Sequence, residues 1–216
     1  MQKNDSETLF EQFCTSHNIR WEAIPTEAGK TPDYFIYLGR EKIAAEVKQI
    51  QANTKERAED RQFRETRLSA GGCTLGDRLR NIIITAGKQL RVKAKGQYPA
   101  IIVIYNPQFL LQQHTEPHAI KAAMYGFDTI ILDLPGDVRD KPRVLDRKSG
   151  GRRMMTDEEN TSISAIAVLG SSGLTVYHNV FAEIPLKPKL CKGVTVQQFT
   201  LGEKRPGEFA EWQEIS

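Results

Sequence analysis

Six residues, AIIVIY from Ala100 to Tyr105, constrain this chain more than any other stretch. The run is apolar throughout and is closed by Asn106-Pro107, which reads as a strand buried on both faces. Such a strand needs helices over it. The flanking sequence supplies them: 78–95, RLRNIIITAGKQLRVKAK, places Leu79, Ile82, Ile83, Ala86 and Leu90 on one helical face. Helices interspersed with strands, one of them fully apolar, point to an α/β domain.

The remaining elements follow from local signals. Asp5 or Ser6 can cap a first helix to about His17, with Phe10, Phe13 and Cys14 as its apolar stripe. Residues 19–24 read as a short strand. YFIYL (34–38) and KIAAEVKQI (42–50) read as two more, joined by a turn at Gly39-Arg40. Residues 53–69 are charged on nearly every face, a helix that bridges solvent rather than fills a core. EPHAIKAAMYG is a short helix stopped by Gly126, and TIILDL is a strand. Residues 135–160 read as a polar, glycine-rich, basic loop. SAIAVLG and LTVYHNVFAEIPL supply further strands, with the turn GSSG (170–173) between them. The expectation is one domain over 1–216, with a charged helical insert at about 51–76 and a basic loop at about 135–160.

Composition bounds the setting. The 216 residues are 39% hydrophobic and 26% charged, with a net charge of +3. The positive charge is uneven: Lys and Arg gather in 78–95 and 139–153, while Glu203, Glu208, Glu211 and Glu214 sit in the tail. Clustered basic residues on a near-neutral chain suit a polyanionic partner such as nucleic acid. Cys14, Cys73 and Cys191 are widely spaced, with no CxxC pair, which points to a reducing interior. The N-terminus has no signal-like apolar core, and no apolar run is long enough to span a bilayer. The expected location is cytoplasmic, with no membrane partner.

The segment TPDYFIYLGREKIAAEVKQI, 31–50, carries the chemistry. A two-residue turn at Gly39-Arg40 pairs Leu38 with Glu41, and then in turn Tyr34 with Ala45 and Asp33 with Glu46. Opposed side chains in such a ladder stand about 4.5–5.5 Å apart at Cβ. Two carboxylates that close repel unless a cation intervenes. Lys48 lies two residues from Glu46 and shares its face, whereas Val47 points to the other side. A divalent ion resolves the repulsion, because Mg²⁺ accepts one or two carboxylates, waters and a phosphate oxygen. An ammonium beside it can orient water or offset charge on a phosphoryl group. The set suits phosphodiester hydrolysis.

Pro32-Asp33 followed after a turn by Glu46-Val47-Lys48 resembles the PD-(D/E)XK nuclease superfamily. That family includes restriction enzymes, Holliday-junction resolvases, and phage and repair nucleases. The resemblance covers about residues 5–106. It implies a restriction-endonuclease-like fold, a central mixed β-sheet flanked by helices. It implies Asp33 and Glu46 as Mg²⁺ ligands, with Mn²⁺ able to substitute, the Val47 carbonyl as a further ligand, and Lys48 as catalytic. Members often carry a Glu on the first helix. Glu7 fits that place through the apolar Phe10 and Cys14 that follow it, and Glu11 stays open. Some relatives have a Q-x-x-x-Y motif on a later helix; Gln89 is suitably placed, but Lys93 stands where the Tyr belongs. Gln49 follows Lys48 and takes no firm role. Many relatives act as dimers, so a homodimer is among the implications.

Arg147, Lys148, Arg152 and Arg153 are the candidate DNA-backbone contacts. Other signals weigh less. His114 and His118 have i,i+4 spacing without an acidic third ligand and read as surface loop. Gly71, Gly72 and Gly76 lack the Lys-Ser/Thr of a phosphate loop, so no nucleotide cofactor is expected. His178 reads as a structural strand residue. The expectation is a Mg²⁺-dependent DNA endonuclease of a restriction, repair or mobile-element type. The alternative is a nuclease-fold subunit that binds DNA or scaffolds a complex without cutting.

Overall fold

A computed structural model describes residues 4–25, 31–67, 74–94, 96–107, 113–134, 141–171, 173–203 and 209–215. The chain runs α1 (Asp5–Ser16), β1 (Arg20–Ala23), β2 (Tyr34–Leu38), β3 (Glu41–Gln49), α2 (Thr54–Thr66), α3 (Asp77–Ala94) and β4 (Ala100–Tyr105). It continues through α4 (Pro117–Tyr125), β5 (Phe127–Asp133), β6 (Arg143–Gly151), β7 (Ala165–Gly170) and β8 (Gly173–His178). A 3-10 turn at Pro188–Cys191, then β9 (Thr195–Leu201) and β10 (Trp212–Glu214), complete it.

Eight strands form one sheet in the order β1-β2-β3-β4-β7-β8-β9-β10. β3, β4 and β7 run parallel at its centre, and β8 pairs parallel with β9; the other pairings are antiparallel. The fold is α/β, a large mixed central sheet flanked by helices. The AIIVIY run is β4, between β3 and β7, and five of its six residues are buried. Strand alternation divides its side chains between two cores. Ile102 and Ile104 join Ala44 and Ile166 under α3 and α4, against Leu79, Ile83, Leu90, Ile120 and Met124. Ile101 and Val103 join Ile43, Ala45, Val47 and Ala167 under α1, against Phe10, Phe13 and Cys14. Cutting Ile102 or Phe10 to Ala costs about 2–5 kcal/mol through lost burial and the cavity left.

Local chemistry corrects the helix start. Asn4, not Asp5 or Ser6, caps α1: its Oδ1 accepts the Glu7 N–H at 2.9 Å, and Glu7 Oε2 accepts the Asn4 N–H at 3.1 Å. This reciprocal box satisfies two otherwise free donors. α2 has the same device between Asn53 and Glu56 and buries no residue, as its all-round charge predicts.

The largest departure from the sequence reading is at 135–160. Within it, Arg143–Gly151 is the strand β6, paired antiparallel with β5 as a separate two-stranded ribbon. Its residues are almost all exposed, so no buried face leaves an alternation to read. β9 and β10 were also missed. β10 is only three residues long, and its Trp212 is held through its indole N–H, which donates to the Pro117 carbonyl at 2.8 Å. Among the described residues, no helix is long and apolar enough to cross a membrane.

Candidate active site

β2 and β3 pair from Leu38↔Glu41 to Tyr34↔Ala45, the register that the two-residue turn dictates. Gly39 has φ +62°, while Arg40 has no positive φ. That pattern matches a II′ turn, which twists with the strands it joins. One residue beyond the ladder, Asp33 reaches β3: its Oδ2 accepts the Val47 N–H at 2.8 Å. The Asp33 carbonyl accepts the Ile24 N–H at 2.9 Å, so the residue is fixed from both sides.

Glu46 lies one residue past the β2 ladder and pairs with Ile102 of β4 on its other side. Since Ile43, Ala45 and Val47 point to the α1 core, Glu46 and Lys48 project from the face that α3 covers. The Glu46 side chain is 0% exposed, and that of Lys48 is 30% exposed. The Lys48 ammonium touches Glu46 Oε1 as an ion pair. Beyond that ion pair, neither buried Glu46 oxygen has a hydrogen bond of ordinary geometry. Leaving such atoms unsatisfied is costly.

The electrostatics follow. Burial, then the neighbouring Asp33 charge, push the Glu46 carboxyl up to about 7, against the pull of Lys48. Burial also raises Asp33, opposed by the Val47 N–H and by Lys48 and reinforced by Glu7. The repulsion belongs to the carboxylate pair; it falls on Glu46 because that residue is the more deeply enclosed. The enclosed Glu46 carboxylate and the half-buried Asp33 beside it are the residues that could hold a hard divalent cation taking oxygen ligands. Lys48 alone does not neutralise them. Among the described residues no group of three or more His, Cys, Asp or Glu side chains is gathered for a metal. The set therefore falls short of a closed protein cage.

The other candidates are distributed around this pair. Glu7 is held in the α1 capping box, and its charge is felt at Asp33 and Tyr34. Glu11 accepts the Tyr34 hydroxyl at 2.8 Å. Sequence reasoning did not anticipate that link; an acid one helical turn after Glu7, with an inward-facing Tyr on β2, is the signal that suggests it. The Gln89 amide donates to the Thr31 carbonyl at 3.4 Å, two residues before Asp33, and so supports the entry to β2. Gln49 pairs with Tyr105 at the strand ends, half-buried.

The four basic candidates separate. Arg147 and Lys148 lie on β6, where Lys148 is 3.7 Å from Asp146 and the Arg147 N–H donates to the same carboxylate. Arg152 and Arg153 line an open cleft of about 340 Å³ with Asp77, Arg80, Asn81, Ile84 and Met154, at the start of α3. Arg152 is 3.2 Å from Asp77. Arg80 beneath them is buried and donates to the Leu75 and Ala122 carbonyls and to Asp77.

The histidine readings divide as well. His118 is exposed on α4, but His114 is 2% exposed and faces Glu56 and Arg78 rather than a surface loop. Burial and Arg78 keep its ring below the usual histidine range, against the pull of Glu56. The correction has a physical cause: Arg78 and the N-terminus of α2 converge over that loop, which spacing alone does not reveal. His178 is buried, with Nε2 3.1 Å from Gln198 Oε1, a structural role. Gly76 has φ +76° against the Ala123 backbone, whereas Gly71 and Gly72 lie outside the described residues. No family model, curated protein or solved structure matches this chain.

Proposed function

We propose that the chain is a Mg²⁺-dependent nuclease of the PD-(D/E)XK type that hydrolyses DNA phosphodiester bonds on a restriction-endonuclease-like fold. One observation carries this reading: Asp33, Glu46 and Lys48 converge at the end of the β2–β3 hairpin, where the enclosed Glu46 carboxylate has the Lys48 ion pair and the neighbouring Asp33 is held by the Val47 N–H. The helix α1 and strand β1 precede this hairpin, and the helices α2 and α3 and the parallel apolar strand β4 follow it, which supports the reading.

Asp33 and Glu46 would hold the ion, with the Val47 carbonyl as a further oxygen donor. When bound, Mg²⁺ supplies Lewis acidity toward a phosphoryl oxygen and makes water more acidic. The protein's own groups do the rest. The Val47 N–H fixes the Asp33 carboxylate. Lys48, partly open to solvent, orients a water toward phosphorus and offsets negative charge on the phosphoryl oxygens. Glu7 adds negative charge beside Asp33 without leaving its cap. We assign Arg152 and Arg153 to the DNA backbone, since they line an open cleft.

Plasmid nicking tests the reading. Wild type with Mg²⁺ or Mn²⁺ should relax supercoiled DNA, while Asp33→Ala and Lys48→Ala should each fall by about 100-fold or more. Equal activity in all three proteins, or activity unchanged by a chelator, would refute it. DNA retention by wild type without cleavage under either metal would instead establish a binding module.

A further inference from the structure

An open pocket of about 440 Å³ lies at the carboxyl ends of β4 and β7, where Tyr105 and Gly170, the last residues of those parallel strands, line it. Its other wall is α1: Leu9, Gln12, Phe13 and Ser16 stand at i, i+3, i+4 and i+7, one helical face. The crevice outside the carboxyl ends of the strands is where open α/β sheets bind ligands. β3 ends at the same edge, since Gln49 follows Lys48 and pairs with Tyr105. Lys48 projects on the α3 face, whereas Tyr105 follows Ile101 and Val103 onto the α1 face. The pocket and the candidate active site are therefore neighbours across one sheet edge.

The lining selects the class of ligand. Phe13 and Leu169 are buried apolar walls, and Tyr105 adds a half-buried ring. The His17 ring lies against that of Phe13, with centroids 4.3 Å apart. The Ser16 hydroxyl donates to the Phe13 carbonyl at 2.9 Å, so this wall is ordered before anything binds. By contrast, the Gln12 amide and the Tyr105 hydroxyl make no hydrogen bond to another described residue. No Asp, Glu, Lys or Arg is among the described residues that line the pocket. It also sits at the C-terminus of α1, where free carbonyls carry partial negative charge and the last turn holds no basic residue. Phosphate and carboxylate groups are disfavoured there, and N–H donors are favoured. The matching ligand is a neutral flat ring, apolar on its faces and hydrogen-bonding at its edge.

We propose that this pocket binds a nucleobase, one with an exocyclic amino group such as adenine. A glutamine amide pairs with the amino group and ring nitrogen of an adenine edge, and aromatic side chains take its face. The choice of a nucleobase rests on the nuclease reading: a nucleic acid whose phosphate lies at Lys48 carries its neutral heterocycles to the same sheet edge. The base arrives either on a free nucleoside or on an unstacked nucleotide of a strand. A base inside a duplex has its faces covered and its edge paired, so it does not enter.

Nuclear magnetic resonance titration in a chelator tests this without cleavage. Deoxyadenosine should shift the amide signals of Gln12, Phe13, Tyr105 and Gly170, with a Kd on the order of 1 mM. Gln12→Ala and Tyr105→Phe, which keep the fold's apolar contacts, should each weaken binding about 3-fold or more. Gln197→Ala, an exposed glutamine elsewhere, should bind like wild type. A single-stranded oligomer of deoxyadenosine separates the two sources. Weakening by Gln12→Ala in both assays places the base on a strand, and weakening for deoxyadenosine alone places it on a free nucleoside. No shifts at these residues, equal shifts with deoxyribose 5-phosphate, thymidine bound as tightly as deoxyadenosine, or both variants binding like wild type would each overturn the proposal. Plasmid nicking judges the nuclease reading separately. A chain that nicks DNA but binds no base loses only the pocket, and one that binds deoxyadenosine but never nicks loses only the nuclease.

Discussion

Replacing Glu46 by Gln should stabilise the metal-free protein above neutral pH. The Glu46 carboxyl is enclosed beside Asp33, and its folded-state pKa rises from 4.5 to about 7. Below the lower value both folded and unfolded chains carry the proton, and the site adds no pH dependence. Between the two values the folded state keeps a proton that the unfolded chain has released, so stability falls as pH rises. Above about 7 the loss is complete. At about 1.4 kcal/mol per pKa unit, it amounts to roughly 3 kcal/mol. Gln keeps the shape and removes the charge. Lys48, which loses its partner, is exposed enough to turn to water.

Urea unfolding in a chelator from roughly pH 5 to pH 8 measures this. Wild type should lose about 2–3 kcal/mol over that range, and Glu46→Gln should lose markedly less and exceed wild type at the alkaline end. Adding Mn²⁺ or Mg²⁺ at about 100 times its Kd should return about 2.7 kcal/mol to wild type and little to the variant. Equal pH slopes in the two proteins would refute the reasoning, since no other charge change separates them. A metal-induced rise of equal size in both would refute the assignment of Glu46 as a ligand.

Three further outcomes can be checked by the same unfolding assay. Tyr34→Phe removes the hydroxyl that donates to Glu11 at 2.8 Å and should cost about 1.5–3 kcal/mol. Glu56→Ala removes the N3 half of the α2 capping box and leaves Arg78 and the buried His114 without their acid, for a loss of about 1–3 kcal/mol. Gly126→Ala places a methyl 2.5 Å from the Gly150 backbone at φ +88° and should cost more than about 2 kcal/mol, the largest loss of the three.

The hairpin was legible because its physics is local. Two turn residues set the register, and the ladder follows it from Leu38↔Glu41 to Tyr34↔Ala45, one residue short of Asp33 and Glu46. The buried strand β4 and the inner face of α3 were legible for a similar reason: Leu79, Ile83, Ala86 and Leu90 recur at the period the helix imposes. What stayed hidden depends on partners distant in sequence. Arg80 looks like one more surface base, yet it is buried because the Leu75 and Ala122 carbonyls and Asp77 satisfy it. His114 looks like a loop residue until Glu56 and Arg78 converge on it. β6 escaped because a strand exposed on both sides has no hydrophobic period to show.

The candidate site stands out in the sequence as a conflict. A strand as buried as β3 favours apolar residues at every inward position, and Ile43, Ala44, Ala45 and Val47 comply. Glu46 departs from that rule, and packing relieves it only in part: the side chain is fully enclosed, Lys48 contacts one oxygen as an ion pair, and Asp33 adds repulsion. A residue kept only for stability would remove that penalty by becoming apolar, since a well-packed hydrophobic side chain replaces a buried ion pair at little or no loss. The penalty has a use only if something binds there that an apolar side chain cannot hold. Under the proposed function, that something is a hard cation taking the Glu46 and Asp33 oxygens. The same argument distinguishes Glu46 from His178: both are buried polar side chains on strands, but His178 has Gln198 as a partner within the fold.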